Sequence, residues 1–74
     1  MSKLLPVRSD QVASVLKKVG FVLIRQSGSH AVYRHPDGRW TTVPQHKGKD
    51  LGKGLLRKIL KDAGLSVDAF EKLK

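Results

Sequence analysis

The fold is decided by residues 30–45, HAVYRHPDGRWTTVPQ, in which two strand-like segments flank a turn sequence. Residues 30–35 and 40–45 are rich in β-branched and aromatic side chains, the composition that favours strands. Between them, Pro36 presets the first corner of a type I turn, and Gly38 can adopt the left-handed conformation that follows it. These residues therefore predict a β-hairpin.

The segments on either side of the hairpin predict one more strand and two helices. Residues 21–26 are rich in β-branched and aromatic side chains, too few for a helix and bounded by glycines nearby, which indicates a strand. Upstream, Ser9 is a good N-cap, and apolar residues at helical spacing predict a helix over residues 10–19. Downstream, residues 51–63 repeat leucine, isoleucine and alanine at helical spacing, and a glycine follows that can end a helix.

The order of these elements predicts the α+β class. We expect a two-layer sandwich of order α-β-β-β-α, in which a three-stranded antiparallel sheet carries two helices on one face. Ser66 can cap a further short helix near the end of the chain. Residues 1–74 suffice for a single domain with a small core, and the chain has no cysteine and no long apolar run. We therefore expect a cytoplasmic protein without disulfides, signal peptide or membrane span.

The net charge of +9, from 15 Lys and Arg against 6 Asp and Glu, points to a polyanionic partner. The excess is spread over residues 1–64, and a basic surface gains binding free energy when nucleic-acid phosphates release their counterions. One alternative is a positive surface that only keeps a small protein soluble. Membrane binding is a weaker alternative, because no segment combines a basic face with a bulky apolar one. RNA is the partner that we expect.

His30 follows the flexible pair Gly28-Ser29 and opens the hairpin, where its side chain can reach solvent whichever face of the sheet is buried. Histidine as a residue type titrates near neutrality and can accept the proton of an RNA 2′-hydroxyl. We therefore expect His30 to be the catalytic base of a ribonuclease, the alternative being a surface histidine without a role. The candidate proton donors are His46, Lys47 and Tyr33, and the sequence does not choose among them.

Neither a metal nor a cofactor is expected. The six carboxylates include no paired or DxD arrangement, and the three histidines lack the HxxxH spacing of a helical metal site. A reaction driven by the RNA's own 2′-oxygen needs only a base, an acid and stabilisation of charge. The sequence is therefore typical of metal-independent chemistry.

Three lysines gather near the start of the second long helix, where the partial positive charge of a helix N-terminus disfavours cations. They are Lys47, Lys49 and Lys53. We expect them to bind phosphate there together with the free backbone N–H groups. The alternative is that Asp50 simply caps a solvated helix.

Arginines and aromatic residues offer further contacts with RNA. Arg34 and Arg57 are candidate RNA-binding residues, and together with Arg39 they form an alternative path if the lysines are only solvated. Trp40 and Tyr33 are candidates for stacking unpaired bases on the open face of the sheet. The alternative for both aromatic residues is burial in the core.

Laid end to end, these segments resemble the HicA family of small bacterial and archaeal mRNA interferase toxins. The resemblance runs from about Leu5 to Ser66. It rests on four stretches in this order: GSH at 28–30, YRHPDG at 33–38, VPQHKGKDL at 43–51, and GLLRKIL at 54–60 followed by AGLS at 63–66.

The resemblance implies a double-stranded-RNA-binding-domain-like fold, a catalytic role for His30, and neutralisation by an antitoxin of the HicB family. The chain departs from the family pattern at Lys53, where many members have proline, and at Ala31, which is smaller than the residue often found there. Residues 67–74 extend past the usual end.

The expected function is therefore a metal-independent endoribonuclease toxin of a type II toxin–antitoxin pair, acting on mRNA and bound by a HicB-like antitoxin. One alternative is a noncatalytic RNA-binding module of the same fold. Another is a nucleoid- or ribosome-associated structural protein, whose RNA binding would depend steeply on salt without any cleavage.

Overall fold

An antiparallel sheet forms one layer of the protein and helices form the other. The structure is a computed structural model that describes residues 7–45 and 50–74. Its elements are, in chain order, β1 (Val7–Arg8), α1 (Ser9–Lys18), β2 (Val22–Ser27), β3 (His30–Arg34), β4 (Trp40–Pro44), β5 (Asp50–Leu51), α2 (Lys53–Ala63) and α3 (Val67–Leu73). The predicted α+β architecture, with a three-stranded sheet in the order β2-β3-β4, is confirmed.

The predicted hairpin is confirmed, and each of its strands ends one residue earlier than expected. β3 and β4 pair in antiparallel register. In the turn between them, the His35 N–H donates to the Arg39 carbonyl (2.8 Å) and the Gly38 N–H donates to the His35 carbonyl (2.9 Å). Gly38 has a φ of 100°, the left-handed conformation that the turn sequence predicts.

The core lies between the helices and the inner face of the sheet. Every second residue of the hairpin strands is buried there: Ala31, Tyr33, Thr41 and Val43. α1 and α2 both contact β4, and α3 contacts both of these helices. The helices contribute large buried side chains, among them Leu16, Leu56, Ile59 and Phe70. Removing each large apolar side chain from water stabilises the fold by about 1.5–3 kcal/mol.

A two-stranded ribbon, which the sequence analysis did not predict, fixes where α1 begins. β1 pairs antiparallel with β5 and keeps the chain extended as far as Arg8. The N-cap of α1 is therefore Arg8 and not Ser9, which is the first helical residue and is buried. The Gln11 side-chain oxygen accepts a hydrogen bond from the Arg8 N–H (3.0 Å) and satisfies this end of the helix.

The same ribbon corrects the expected start of α2. Asp50 belongs to β5, and the N-cap of α2 is Gly52, so the alternative in which Asp50 caps this helix is wrong. The predicted end at Gly64 is confirmed, with a φ of 70°. The short helix α3 is also confirmed, because the Ser66 Oγ accepts a hydrogen bond from the Ala69 N–H (3.0 Å).

Arg39 joins the hairpin turn to the end of α2. Its Nη1 donates to the Ala63 carbonyl, its Nε donates to Asp37 Oδ2 (2.7 Å), and its guanidinium carbon lies 5.4 Å from the centroid of the Phe21 ring. The Arg39 backbone N–H donates to Asp37 Oδ1 (3.0 Å), and this bond, with the nearby guanidinium, lowers the pKa of the Asp37 carboxyl. Because its side chain makes these contacts within the fold, Arg39 is not available to bind RNA as the alternative to the lysines supposes.

Replacing Gly64 with alanine tests this contact. A Cβ at this position would lie 2.9 Å from Arg39 Nη1, and the left-handed backbone strains an L side chain by about 1–2 kcal/mol. Gly28 is the matched control, because its φ is 57° and nothing described lies within 4 Å of its added Cβ. We expect Gly64→Ala to lower the free energy of unfolding by about 1 kcal/mol more than Gly28→Ala, the size of one hydrogen bond.

Chemical denaturation of the two variants measures this difference. In an Arg39→Ala background the difference should vanish, because the crowded partner is gone. Equal losses with Arg39 present would mean that its guanidinium moves aside without cost.

Candidate functional site

His30 begins β3 at the end of the sheet away from the hairpin turn, and its side chain is exposed. It pairs with Ser27 of β2 on one side and with Pro44 of β4 on the other. Gly28 provides the positive φ that the two-residue turn before His30 requires at its first position. The backbone of His30 is therefore fixed by strands on both sides, while its imidazole faces solvent.

His30 lies on the face of the sheet that is turned away from the helices, which we call the open face. Side chains that pair directly across antiparallel strands share a face, so the register of the sheet defines its members. The open face is formed by Val22, Arg25, Ser27, His30, Val32, Arg34, Trp40, Thr42 and Pro44. The structure thus brings the sequence-predicted residues His30 and Arg34 onto one surface.

Arg25 reaches the open face because β2 contains a bulge. Leu23 pairs with Tyr33, whereas Arg25 pairs with Val32, so Ile24 is an extra residue in the ladder. Strict alternation from Leu23 would have turned Arg25 toward the helices. With the bulge, Arg25 lies diagonally across from His30, at a Cβ separation of about 7–8 Å, which a long side chain spans.

Arg25 is not among the residues that the sequence predicts for the site. No glycine or proline marks the bulge, and the only available signal was four successive apolar residues, Phe21 to Ile24, which break the polar–apolar alternation of a half-buried strand.

No carboxylate lies on the open face. All six are described by the structure and lie elsewhere: Asp10 in α1, Asp37 in the hairpin turn, Asp50 in β5, Asp62 in α2, and Asp68 and Glu71 in α3. Within residues 7–45 and 50–74, neither Arg25 nor Arg34 is ion-paired. The arginine charges on this face are therefore uncompensated by acidic neighbours, and the face attracts anions.

Of the other predicted cationic residues, the structure describes Lys53 and Arg57, which lie on α2 and not on the open face. Lys53 and Arg57 are exposed on α2, a helix whose buried side packs against the inner face of the sheet. Lys53 is the first residue of α2, at the helix N-terminus as expected. Lys47, Lys49 and the candidate proton donor His46 lie outside the described residues.

The two candidate stacking residues occupy opposite environments. Tyr33 is 2% exposed, so the alternative that it is buried in the core is confirmed. Burial raises the pKa of its hydroxyl, and a hydrogen bond with the Gln45 side chain opposes that rise. Trp40 is 61% exposed on the open face, so the core alternative is wrong for it.

Tyr33 also lies on the other face of β3 from His30, because strand side chains alternate. This separation argues against Tyr33 as the proton donor.

Two further features of the described residues concern metal ligands and membrane helices. They contain no group of three or more His, Cys, Asp or Glu side chains that could hold a metal ion. No helix among them is long and apolar enough to cross a membrane.

The fold and the site define a small basic α+β protein that presents an exposed histidine beside unpaired arginines on an open sheet face. A family model, the HicA toxin of bacterial toxin–antitoxin systems, matches residues 9–65, which include the whole three-stranded sheet and His30. The chain belongs to the HicA toxin family. It is therefore a toxin of a toxin–antitoxin system, and this class implies an antitoxin partner. A comparison with curated protein sequences gives no significant match.

Proposed function

We propose that this toxin is a metal-independent endoribonuclease that cleaves mRNA and uses His30 as its general base. The observation that carries the proposal is the position of His30, exposed on a carboxylate-free sheet face and diagonal to Arg25. The imidazole there meets a phosphodiester held by arginine, and no acidic side chain repels the phosphate.

The chemistry requires one proton to be removed and another to be supplied. The His30 imidazole accepts the proton of a ribose 2′-hydroxyl, and the 2′-oxygen attacks the adjacent phosphorus. The bond from phosphorus to the 5′-oxygen breaks, which leaves a 2′,3′-cyclic phosphate and a 5′-hydroxyl after that oxygen gains a proton. A positioned base of this kind contributes about 10²- to 10⁴-fold in rate.

Charge stabilisation and the proton donor complete the proposal. Arg25 is near enough to share the negative charge that develops on the phosphoryl oxygens, and Arg34 lies farther along the same face. His46 and Lys47 remain the candidate donors to the leaving oxygen. Lys47, Lys49, Lys53 and Arg57 remain candidate phosphate contacts for flanking RNA.

The proposed partners follow from the family and from the charge. A HicB-like antitoxin binds and neutralises the toxin, and mRNA in the cytoplasm is the substrate. A net charge of +9 favours both a polyanionic substrate and an acidic protein surface, so electrostatic attraction accelerates either encounter.

Replacing His30 tests the proposed chemistry. His30→Ala and His30→Gln should both lose about 10²- to 10⁴-fold in cleavage rate, because neither side chain can accept the proton. The free energy of unfolding should change by less than about 0.5 kcal/mol, since the side chain is exposed. Lys72→Ala, an exposed change in α3, is the matched control for the rate measurement.

The same variants separate the enzyme from a noncatalytic RNA-binding module. Wild-type protein that binds single-stranded RNA without cutting it supports the binding module. Full activity in His30→Gln would assign His30 a binding role and move the base elsewhere.

Metal independence has its own test. We expect excess EDTA to leave cleavage unchanged, because the described residues offer no cluster of metal ligands and the 2′-oxygen is the nucleophile. Analysis of the products should find a 2′,3′-cyclic phosphate or its hydrolysed form. Loss of activity that returns only with Mg²⁺ or Mn²⁺ would refute this part of the proposal.

The route of the RNA can be decided between the open face and α2. In a His30→Ala background, Arg25→Gln with Arg34→Gln should weaken binding of single-stranded RNA and reduce the slope of log K against log salt by about 1.4, or 0.7 for each lost contact. Lys53→Gln with Arg57→Gln removes the same charge from α2 and is the matched pair. If only the Lys53→Gln and Arg57→Gln pair makes the log K against log salt slope shallower, the RNA binds on the helical side.

A further inference from the structure

Trp40 is an exposed aromatic side chain that the proposed cleavage reaction does not use. It is the only tryptophan of the chain, and 61% of its surface is accessible to solvent. Large aromatic side chains gain free energy from burial, so one held on an open sheet face is suited to contact a partner. Within residues 7–45 and 50–74, the cation–π pair involves Arg39 and Phe21, which leaves the Trp40 ring without such a contact.

We propose that Trp40 is a stacking subsite for an unpaired base of the RNA strand that is cut at His30. The proposal rests on the proposed function and adds to it a selection of single-stranded RNA and a second fixed point for the strand. The subsite consists of the Trp40 ring and of Arg34, its direct cross-strand neighbour.

The register of the sheet gives the distance between the subsite and the catalytic residue. His30 pairs with Pro44, and Arg34 pairs with Trp40, so the two rows are four residues apart along the strands. At about 3.3 Å per residue this separation is about 13 Å. A stacked strand that rises about 3.4 Å per nucleotide covers that distance in about four nucleotides, and a more extended strand needs fewer.

Two arginines lie along the open face between His30 and the stacking subsite. Arg25 pairs with Val32 and therefore lies between the row of His30 and the row of Arg34. An RNA strand that runs from His30 to Trp40 crosses β3 near Val32, the cross-strand neighbour of Arg25, and ends beside Arg34, so both long side chains can reach its phosphates. An aromatic ring beside a cationic path is the arrangement that binds single-stranded nucleic acid, because every unpaired base has a face to stack.

The main competing occupant of this surface is the antitoxin. Val22 and Ile24, which are 59% and 56% exposed, also lie at this end of the sheet and could contact a protein. The absence of carboxylates, and two arginines without an ion pair among the described residues, suit the phosphates of RNA during the reaction, and an acidic antitoxin surface would compete for the same charges. The experiment therefore measures both partners.

Fluorescence of Trp40 reports stacking directly, because no other tryptophan contributes to the signal. His30→Ala protein is titrated with a single-stranded RNA of about eight nucleotides, long enough to reach both points. We expect the emission to be quenched in parallel with binding, which is followed independently by the anisotropy of a dye on the RNA. A duplex of the same sequence should bind without the same quenching, because its bases are already stacked and paired.

Substitutions of Trp40 then measure how much the stacking contributes to RNA affinity. Trp40→Ala in the His30→Ala background should weaken binding of the single strand by about 5- to 150-fold, the range for loss of one stacked base, and Trp40→Phe should restore most of it. Leu55→Ala is the matched control, because Leu55 is a partly exposed apolar residue of α2, away from the open face. With His30 intact, Trp40→Ala should lower kcat/KM for long RNA by a larger factor than for a dinucleotide, since a dinucleotide is too short to reach Trp40.

Each contrary outcome identifies what is wrong. Binding without quenching, or unchanged affinity in Trp40→Ala, overturns the subsite while the proposed ribonuclease stands. Unchanged RNA binding combined with lost binding of a HicB-like antitoxin assigns Trp40 to the antitoxin and overturns the inference. Failure of the His30→Ala protein to bind any RNA overturns both the subsite and the proposed function.

Discussion

The contact of Arg39 with the end of α2 is the constraint on which the rest of the structure depends. A chain of 74 residues has a small core, and the Arg39 contact adds a directional link between the sheet and the helices to its apolar packing. Arg39 reaches from the hairpin turn to the Ala63 carbonyl, where the negative end of the helix dipole favours a cation. Asp37 and the Phe21 ring hold the guanidinium in place.

This arrangement places the contacts that hold the sheet against the helices at the hairpin turn and on the inner face, and it leaves the open face turned to solvent. At the hairpin turn, side chains of the sheet, the turn and the helices are hydrogen-bonded and packed together. At the opposite end of β3, His30 has fixed backbone neighbours and a free side chain. Binding and catalytic groups can be placed on that end, and on the open face, without loss of the contacts that determine stability.

The predictable parts of the fold are those determined by interactions between residues close in the sequence. The turn around Gly38, the end of α2 at Gly64 and the cap at Ser66 depend on residues a few positions apart, and all three are confirmed. The ribbon of β1 and β5 depends on strands of two residues, which are too short to show a period. Its absence from the prediction explains the misplaced caps at Ser9 and Asp50. Among the residues of the open face, His30 and Arg34 could be placed on one face from the sequence because they lie on one alternating strand, whereas Arg25 could not.

The bulge at Ile24 has a consequence for the solubility of the protein. β2 is an edge strand of the three-stranded sheet, and three successive apolar residues on such a strand are a template for pairing with another copy. A regular ladder is needed for such edge-to-edge growth, and one extra residue interrupts it. The irregularity that directs an arginine outward therefore also protects the edge from aggregation, so that a toxin with an uncovered sheet face can remain dispersed.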